Sequence, residues 1–424
     1  MRIGFLIDRW QPNRGGAEAA MAAFAEHLAA VGHEVIAIAE SGEVKTGSLA
    51  LELVRGTQGL ARLLPRGLRE RRLATQLEAR AIELGCERTV GARHLGHLSV
   101  FWPHGGAHQA TLTARTAARA SAFGPIDRDH LPGEVRPTGR HRTFVDLEGQ
   151  LMNGGAARVV CVSELVRDEL VARWPGCEER LVVIPNGVNR ERFRPWFGDR
   201  EVIRRRLGPA FGPDDGAPIL AFIAREPELK GLPVLTRALA RLLDRPWRLV
   251  VAGPRDFAEI ERFVLPFGPA MAEPDATGAR FGRRWVFLPE VDSSLLLRAA
   301  TLTVQPTWRD PCSLVTLESL ASGRRVLTTL ANGASSFVLD GQYGPRPSRP
   351  AVTERGTVLF DVADEKLLAT SLDAELERDT AGDPEVTRRI SEGQAALDAR
   401  RIHAALEETV ISATSSAPND DAGD

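Results

Sequence analysis

Lysine is almost missing: Lys45, Lys230 and Lys366 are the only ones among 424 residues, and every other basic residue is arginine. With abundant Ala and Gly, this is a compositional bias rather than a functional signal. No basic excess exists either. Lys+Arg is 54 against 56 for Asp+Glu, a formal net charge of −2, which argues against a general nucleic-acid binder. The four cysteines, Cys86, Cys161, Cys177 and Cys312, stand far apart with no C-x-x-C. That excludes a zinc ribbon or a thioredoxin-like pair and reads as free thiols of a reducing cytoplasm. No apolar run reaches the roughly 18 residues of a spanning helix. The start, MRIGFLIDRW, reads as a strand, without the apolar h-region and small-residue cleavage site of a secretion signal. Neither an N-x-[ST] sequon, a G-x-G-x-x-G fingerprint nor a P-loop occurs.

What is present is an ordinary globular composition, 43% hydrophobic and 26% charged. The length predicts two or three domains. Short apolar strands alternate with helical spacing: Ile3 to Ile7, a helix from Ala17 closed by Gly32, then the strand Glu34 to Ala39. A strand at His97 to Trp102 runs into Pro103-His104-Gly105-Gly106. Strands at Arg158 to Val162 and Leu181 to Pro185 follow. A second alternation begins at Ile219 and continues through strands at Arg248, Trp285, Leu302 and Arg325. This pattern predicts an α/β chain with two doubly wound parallel sheets. The simplest partition is 1–195, 196–412, and a polar, disordered tail at 413–424.

Four stretches carry candidate chemistry. Gly15 and Gly16 lie between a strand and a helix, where bare backbone amides suit an anion; a plain tight turn explains them equally. Arg225 and Lys230 follow the first strand of the second alternation, at the sheet edge where doubly wound folds bind ligands. Two cations there suit a diphosphate, although Glu226 and Glu228 offer them ordinary partners. In Asp310-Pro-Cys-Ser-Leu-Val-Thr-Leu-Glu318 the carboxylates lie eight residues apart, about two helical turns, so both can face one way. Between them Cys312, Ser313 and Leu314 offer helix N-terminal amides. The plain alternative makes Asp310 an N-cap. Finally, His104 and His108 have i,i+4 spacing, but the glycine pair between them argues against a helical metal site. Asp127-Arg128-Asp129, a D-x-D in a charged loop, reads as solvated.

Taken together, these stretches resemble GT-B glycosyltransferases of the retaining GT4 type. The matching segments are Gly15-Gly16-Ala17-Glu18; His104-Gly105; Val162-Ser163; Val183 to Asn189; Phe193-Arg194-Pro195; Arg225 with Lys230-Gly231; Val251-Ala252-Gly253; and Asp310 to Gly323. The His104-Gly105-Gly106 end and the stretch Arg142 to Glu148 look most like the lipopolysaccharide-core glucosyltransferase subgroup. The resemblance implies two Rossmann-like domains facing across a cleft, with a nucleotide-diphosphate sugar as donor and no metal or other cofactor. Arg225 and Lys230 would hold the diphosphate, and Glu318 the ribose hydroxyls. Asp310 would contact the transferred sugar, and the amides of Cys312, Ser313 and Leu314 would complete the site. Gly15, Gly16 and His104 would line the acceptor side. Asp310 departs from the family's usual Glu by one methylene.

The implied acceptor is a glycan or lipid-linked glycan, with no nucleic-acid partner, in the cytoplasm or peripherally on the inner face of the membrane. Arg62, Arg66, Arg69, Arg71 and Arg72 among Leu63, Leu64, Leu68 and Leu73 suit anionic headgroups; the plainer reading is a solvated helix packing its leucines inward. Rival readings are a non-catalytic nucleotide-sugar binder, for which Asp310 is the only support, another GT-B enzyme such as a nucleotide-sugar epimerase, and a dehydrogenase lacking its glycine fingerprint.

Overall fold

The computed structural model describes all residues except 13–14, 44–48, 56–61, 93, 127–130, 132, 199–201, 204–215, 272, 341–348, 379–382 and 415–424. The Asp127-Arg128-Asp129 stretch and most of the expected tail therefore lie outside the described residues. Where the sequence suggests a single break near residue 195, packing divides the chain into interleaved stretches. One compact unit comprises residues 1–112, 134–187 and 399–424, and the other residues 113–133 and 188–398.

The first unit contains β1 (Arg2–Leu6), β2 (Arg9–Trp10), β3 (Glu34–Ala39), β4 (Ser41–Gly42), β5 (Ala50–Leu53), β6 (Arg88–Gly91), β7 (Leu98–Phe101), β8 (Ala156–Cys161) and β9 (Leu181–Val183). Seven of these form one sheet in the order β5-β3-β1-β6-β7-β8-β9, with every neighbouring pair parallel. Its central strands are buried nearly throughout, as helices on both faces require. The helix Ala399–Ser412 ends the described chain yet belongs here. Glu407 on that helix pairs with His27 of the helix Gly16–Ala30 at 2.9 Å.

The second unit contains β10 (Ile219–Ile223), β11 (Arg248–Ala252), β12 (Arg280–Phe281), β13 (Trp285–Leu288), β14 (Leu302–Gln305), β15 (Arg325–Thr329), β16 (Ala351–Thr353) and β17 (Gly356–Leu359). The order is β12-β13-β11-β10-β14-β15-β17-β16, with only the two edge strands antiparallel. Successive strand residues alternate between two cores. Leu220, Phe222, Leu249, Val251, Trp285 and Phe287 join one cluster, while Ile219, Ala221, Val250, Ala252, Val286 and Leu288 join another. That period of two covers both faces, so the strands read as unbroken apolar runs. Chain order reverses between β10 and β14, and ligands of such sheets bind at the carboxyl ends of the strands flanking that reversal. Arg225 and Lys230 follow β10; Asp310 follows β14.

The arginine-rich stretch is only partly the helix expected. Pro65 caps a helix that starts at Arg66 and ends at Glu83. Leu73 is buried, but Leu63 and Leu68 are 82% and 53% exposed, so these leucines do not pack inward. No described helix is long and apolar enough to cross a membrane.

Candidate active site

Two loops meet at the β10/β14 reversal. The first, Ala224 to Gly231, folds on its own backbone: Lys230 N donates to Glu226 O at 3.1 Å and Leu232 N to Pro227 O at 2.9 Å. Gly231 closes it with φ +86, and a Cβ there would stand 1.9 Å from the Pro306 carbonyl oxygen. Only glycine permits both that dihedral and that approach. The second loop, Pro306 to Ser313, is stitched to the first. Trp308 N donates to Leu229 O at 3.0 Å, and Thr307 Oγ1 donates to the same oxygen at 3.1 Å. This stitching brings Lys230 Nζ to within 2.7 Å of Asp310 Oδ2, both side chains mostly shielded from water.

Asp310 is neither helical nor an N-cap. Its backbone bridges the turn after β15, with its N donating to Ala331 O and Gly333 N donating to its O, both at 2.8 Å. The helix starts only at Leu314. The eight-residue spacing to Glu318 is therefore not two helical turns, and the expectation of a common carboxylate face built on it does not hold. The cap is Ser313, whose Oγ accepts from Thr316 N at 3.2 Å.

Ser313 sits in a buried polar network. Its Oγ donates to Gln305 Oε1 at 2.7 Å, and Gln305 Nε2 donates to Ile223 O at 2.8 Å. Asn332, fully buried, accepts from Ser313 N at 3.2 Å and Ala334 N at 3.0 Å. Its amide donates to Thr316 Oγ1 at 2.9 Å and Thr328 Oγ1 at 3.0 Å. Each buried polar group finds partners, so the network fixes the ends of β10 and β14 and the start of the helix in one geometry. Ser313's amide is thereby committed to Asn332; the Leu314 amide has no partner among the described residues. Cys312 is buried. Neither Gln305 nor Asn332 stood out in the sequence, because buried amides carry no local signature.

Glu318 lies one turn into the helix Leu314–Ala321, partly buried, its carboxyl without a hydrogen bond or ion pair among the described residues. Burial drives its carboxyl up to about 8, opposed only by the Arg192 charge. Such a poised, unpaired carboxyl is the usual mark of a ligand site. Arg225 is exposed on the first loop and lines a separate pocket.

In the first unit, Gly15 is extended and Gly16 opens the helix Gly16–Ala30. His104 follows β7 and rests on Trp102, the ring centroids 4.1 Å apart. Its Nε2 is buried without a partner, and burial lowers its pKa to about 3, so it stays neutral. His108 starts the next helix, His108–Ser121, and His104 is not part of it. No group of three metal-ligating side chains occurs among the described residues. Glu148, which ends the stretch Arg142 to Glu148, is fully buried; it accepts from His108 N at 3.0 Å and faces His94 Nε2 at 3.4 Å. Burial raises its pKa, but the two histidines outweigh this and hold the carboxyl below the usual range.

The family model described as Glycosyltransferase Family 4 matches residues 14–192, and the one described as Glycosyl transferases group 1 matches residues 217–375. Each model matches less than half of the chain, one in each half. A D-inositol 3-phosphate glycosyltransferase of Nocardia farcinica is 35% identical over 202 residues, 45% of this chain and 41% of that protein. Its counterpart in Actinosynnema mirum is 30% identical over 240 residues, 55% and 53% respectively. The matched part thus spans only about half the length of these relatives, or less. Among solved structures, WaaG, a glycosyltransferase involved in lipopolysaccharide biosynthesis, superposes with TM-score 0.73 at 18% identity, covering 97% of this chain and all of that one. Anabaena HepE in complex with UDP-glucose gives 0.65 at 17% identity, with the same coverage. These likenesses establish the GT-B fold, the same two-sheet architecture.

Proposed function

We propose that this chain is a family 4 glycosyltransferase that moves a sugar from a nucleotide-diphosphate sugar to a glycan or glycolipid acceptor, with retention of configuration and without a metal. The Lys230–Asp310 pair at the β10/β14 reversal carries the reading. Breaking a glycosyl–phosphate bond leaves charge on the departing diphosphate, and a preorganised cation aimed at it lowers the barrier. In this reading Lys230 and Arg225 take the diphosphate. Asp310, released from Lys230 or sharing it, contacts the transferred sugar. Glu318 takes the ribose hydroxyls, and the Leu314 amide adds to the helix N-terminus. Gly15, Gly16 and His104 serve the acceptor side. Neutral His104, with an uncommitted ring nitrogen, suits a sugar hydroxyl.

The HepE structures contain UDP or UDP-glucose, which makes UDP-sugars the first donors to try. A thermal-shift screen of nucleotide diphosphates and their sugars, followed by transfer assays, tests the reading. A ligand at 100 times its Kd stabilises by about 2.7 kcal/mol. Binding without transfer or hydrolysis would favour a non-catalytic binder instead. The exposed Leu63 and Leu68 beside Arg62, Arg66, Arg69 and Arg72 support peripheral contact with an anionic membrane, as a lipid-linked acceptor requires. Salt-sensitive cosedimentation with anionic but not neutral vesicles is the expected result.

A further inference from the structure

The loop that carries His104 is held at its far end by a side chain that the transferase reading leaves unused. At its start, Trp102 N donates to Gly91 O at 2.8 Å and anchors the loop to the sheet. The chain then turns tightly. His104 N donates to Trp102 O at 2.9 Å, Gly106 N donates to Pro103 O at 2.8 Å, and Gly106 takes φ +63. The outer side of the turn is bare, since a Cβ on Gly105 would meet nothing within 4 Å. Inward ties therefore decide where the His104 ring stands.

Two such ties close the loop. The helix His108–Ser121 begins after Ala107, which has no side-chain oxygen to cap it. The acceptor comes from another helix: Glu148, in Gly139–Gln150, takes the His108 amide at 3.0 Å. A carboxylate suits that place, because a helix N-terminus favours negative charge. One turn along, Thr111 Oγ1 donates to Gly105 O at 3.1 Å, with Ala107 O at 3.2 Å.

The Glu148 carboxylate is a costly way to hold one amide. It is fully buried, and its Oε2 has no hydrogen-bond partner. The ionisable side chains that act on it are His94 and His108. His94 Nε2 lies 3.4 Å from Oε1, its ring stacked on Phe144 and edge-on to His108. A buried carboxylate left half satisfied lowers stability, and an apolar side chain of similar size would avoid that cost. What the apolar side chain cannot supply is a fixed acceptor for the His108 amide.

We propose that Glu148 is a positioning residue: by holding the His108 amide it fixes, together with Thr111, the loop from Trp102 to Ala107, and so places the His104 ring for an acceptor hydroxyl. The role toward the acceptor rests on the transferase reading; the hold on the His104 loop does not.

NMR of the full chain with isotope-labelled histidine follows the His104 ring directly, its signal identified by loss in His104→Asn. In the unmodified protein burial keeps this ring neutral, with a pKa of about 3. Glu148→Leu fills the same space without an acceptor and should fold. The loosened loop should admit water and raise the His104 midpoint by about one pH unit or more, towards the ordinary value of about 6.5. Glu148→Gln keeps an oxygen for the His108 amide and should return the midpoint close to that of the unmodified protein. Thr111→Val cuts the second tie with Glu148 in place and should also raise the midpoint, so it carries the test if the Leu variant does not fold. The proposal falls if the unmodified, Leu and Val proteins share one midpoint, whatever their stabilities. It falls too if Gln shifts the ring as far as Leu, or if the unmodified ring already titrates at the ordinary value. Calorimetry with UDP separates the two readings. No UDP binding in the unmodified protein, with the Leu shift and the Gln rescue both present, would remove the acceptor role and leave the loop held by Glu148.

Discussion

Replacing Glu318 with Gln should make the protein more stable at alkaline pH while leaving its stability near pH 4 almost unchanged. Burial raises this carboxyl from 4.5 to about 8. Below pH 4.5 it is protonated in both the folded and unfolded chain and contributes no difference. Between the two values the folded state keeps a proton that the unfolded chain has released, so stability falls as pH rises, by about 1.36 kcal/mol per unit. The loss is complete above pH 8. The full span of the shift corresponds to roughly 3 to 5 kcal/mol, a large share of the 5–15 kcal/mol that holds an ordinary domain. A Gln side chain has nearly the same shape and cannot ionise, so the Gln variant lacks this slope. Urea unfolding of both proteins at half-unit steps from pH 4 to 9 reads it as the difference between midpoints. The curves should meet at the acid end and separate steadily towards pH 8. Parallel curves over the whole range would refute the reasoning, because they would mean that water or an unseen cation already solvates the carboxylate.

Gly231→Ala should cost about 2 kcal/mol or more, since a left-handed dihedral alone costs a side chain 1–2 kcal/mol and the Pro306 carbonyl blocks the Cβ; urea unfolding gives the stability and UDP calorimetry the expected loss of donor affinity. Ser313→Ala removes a helix cap, about 0.5–2 kcal/mol, and strips Gln305 Oε1 of its donor, about 1–3 kcal/mol more, so a change in stability below about 0.5 kcal/mol would show the network to be slack. Asp310→Glu adds a methylene at a site only 8% exposed; reduced transfer or a changed donor preference is expected, whereas a large gain with the native donor would mark the short side chain as decay. Chelator-treated protein should retain its transfer activity, and loss reversed only by a divalent ion would remove Arg225 and Lys230 from their proposed role.

Local chemistry along the chain settles much of this protein's fold. The strands at Glu34–Ala39, Arg248–Ala252, Trp285–Leu288, Leu302–Gln305 and Arg325–Thr329 were legible to the residue, because a strand buried on both faces must be an apolar run bounded by polar turns. The order of those runs implied parallel sheets; Lys230 after β10 stood out in a chain so poor in lysine, and Asp310 after β14 by its eight-residue spacing from Glu318. Tertiary structure decided the rest. Asp310 meets Lys230 across 80 residues of sequence, and no spacing rule reports such a meeting. The helix begins at Leu314 because Asn332, contributed by the turn after β15, already holds the Ser313 amide, so the regular turns assumed from Asp310 to Glu318 never form. The helix Ala399–Ser412 returns to the first unit. Its amphipathic pattern declares that it must bury one face, but not which partner will cover it. Sequence fixes periodicity and charge through neighbours along the chain; only packing brings remote side chains close enough to share a proton or a hydrogen bond.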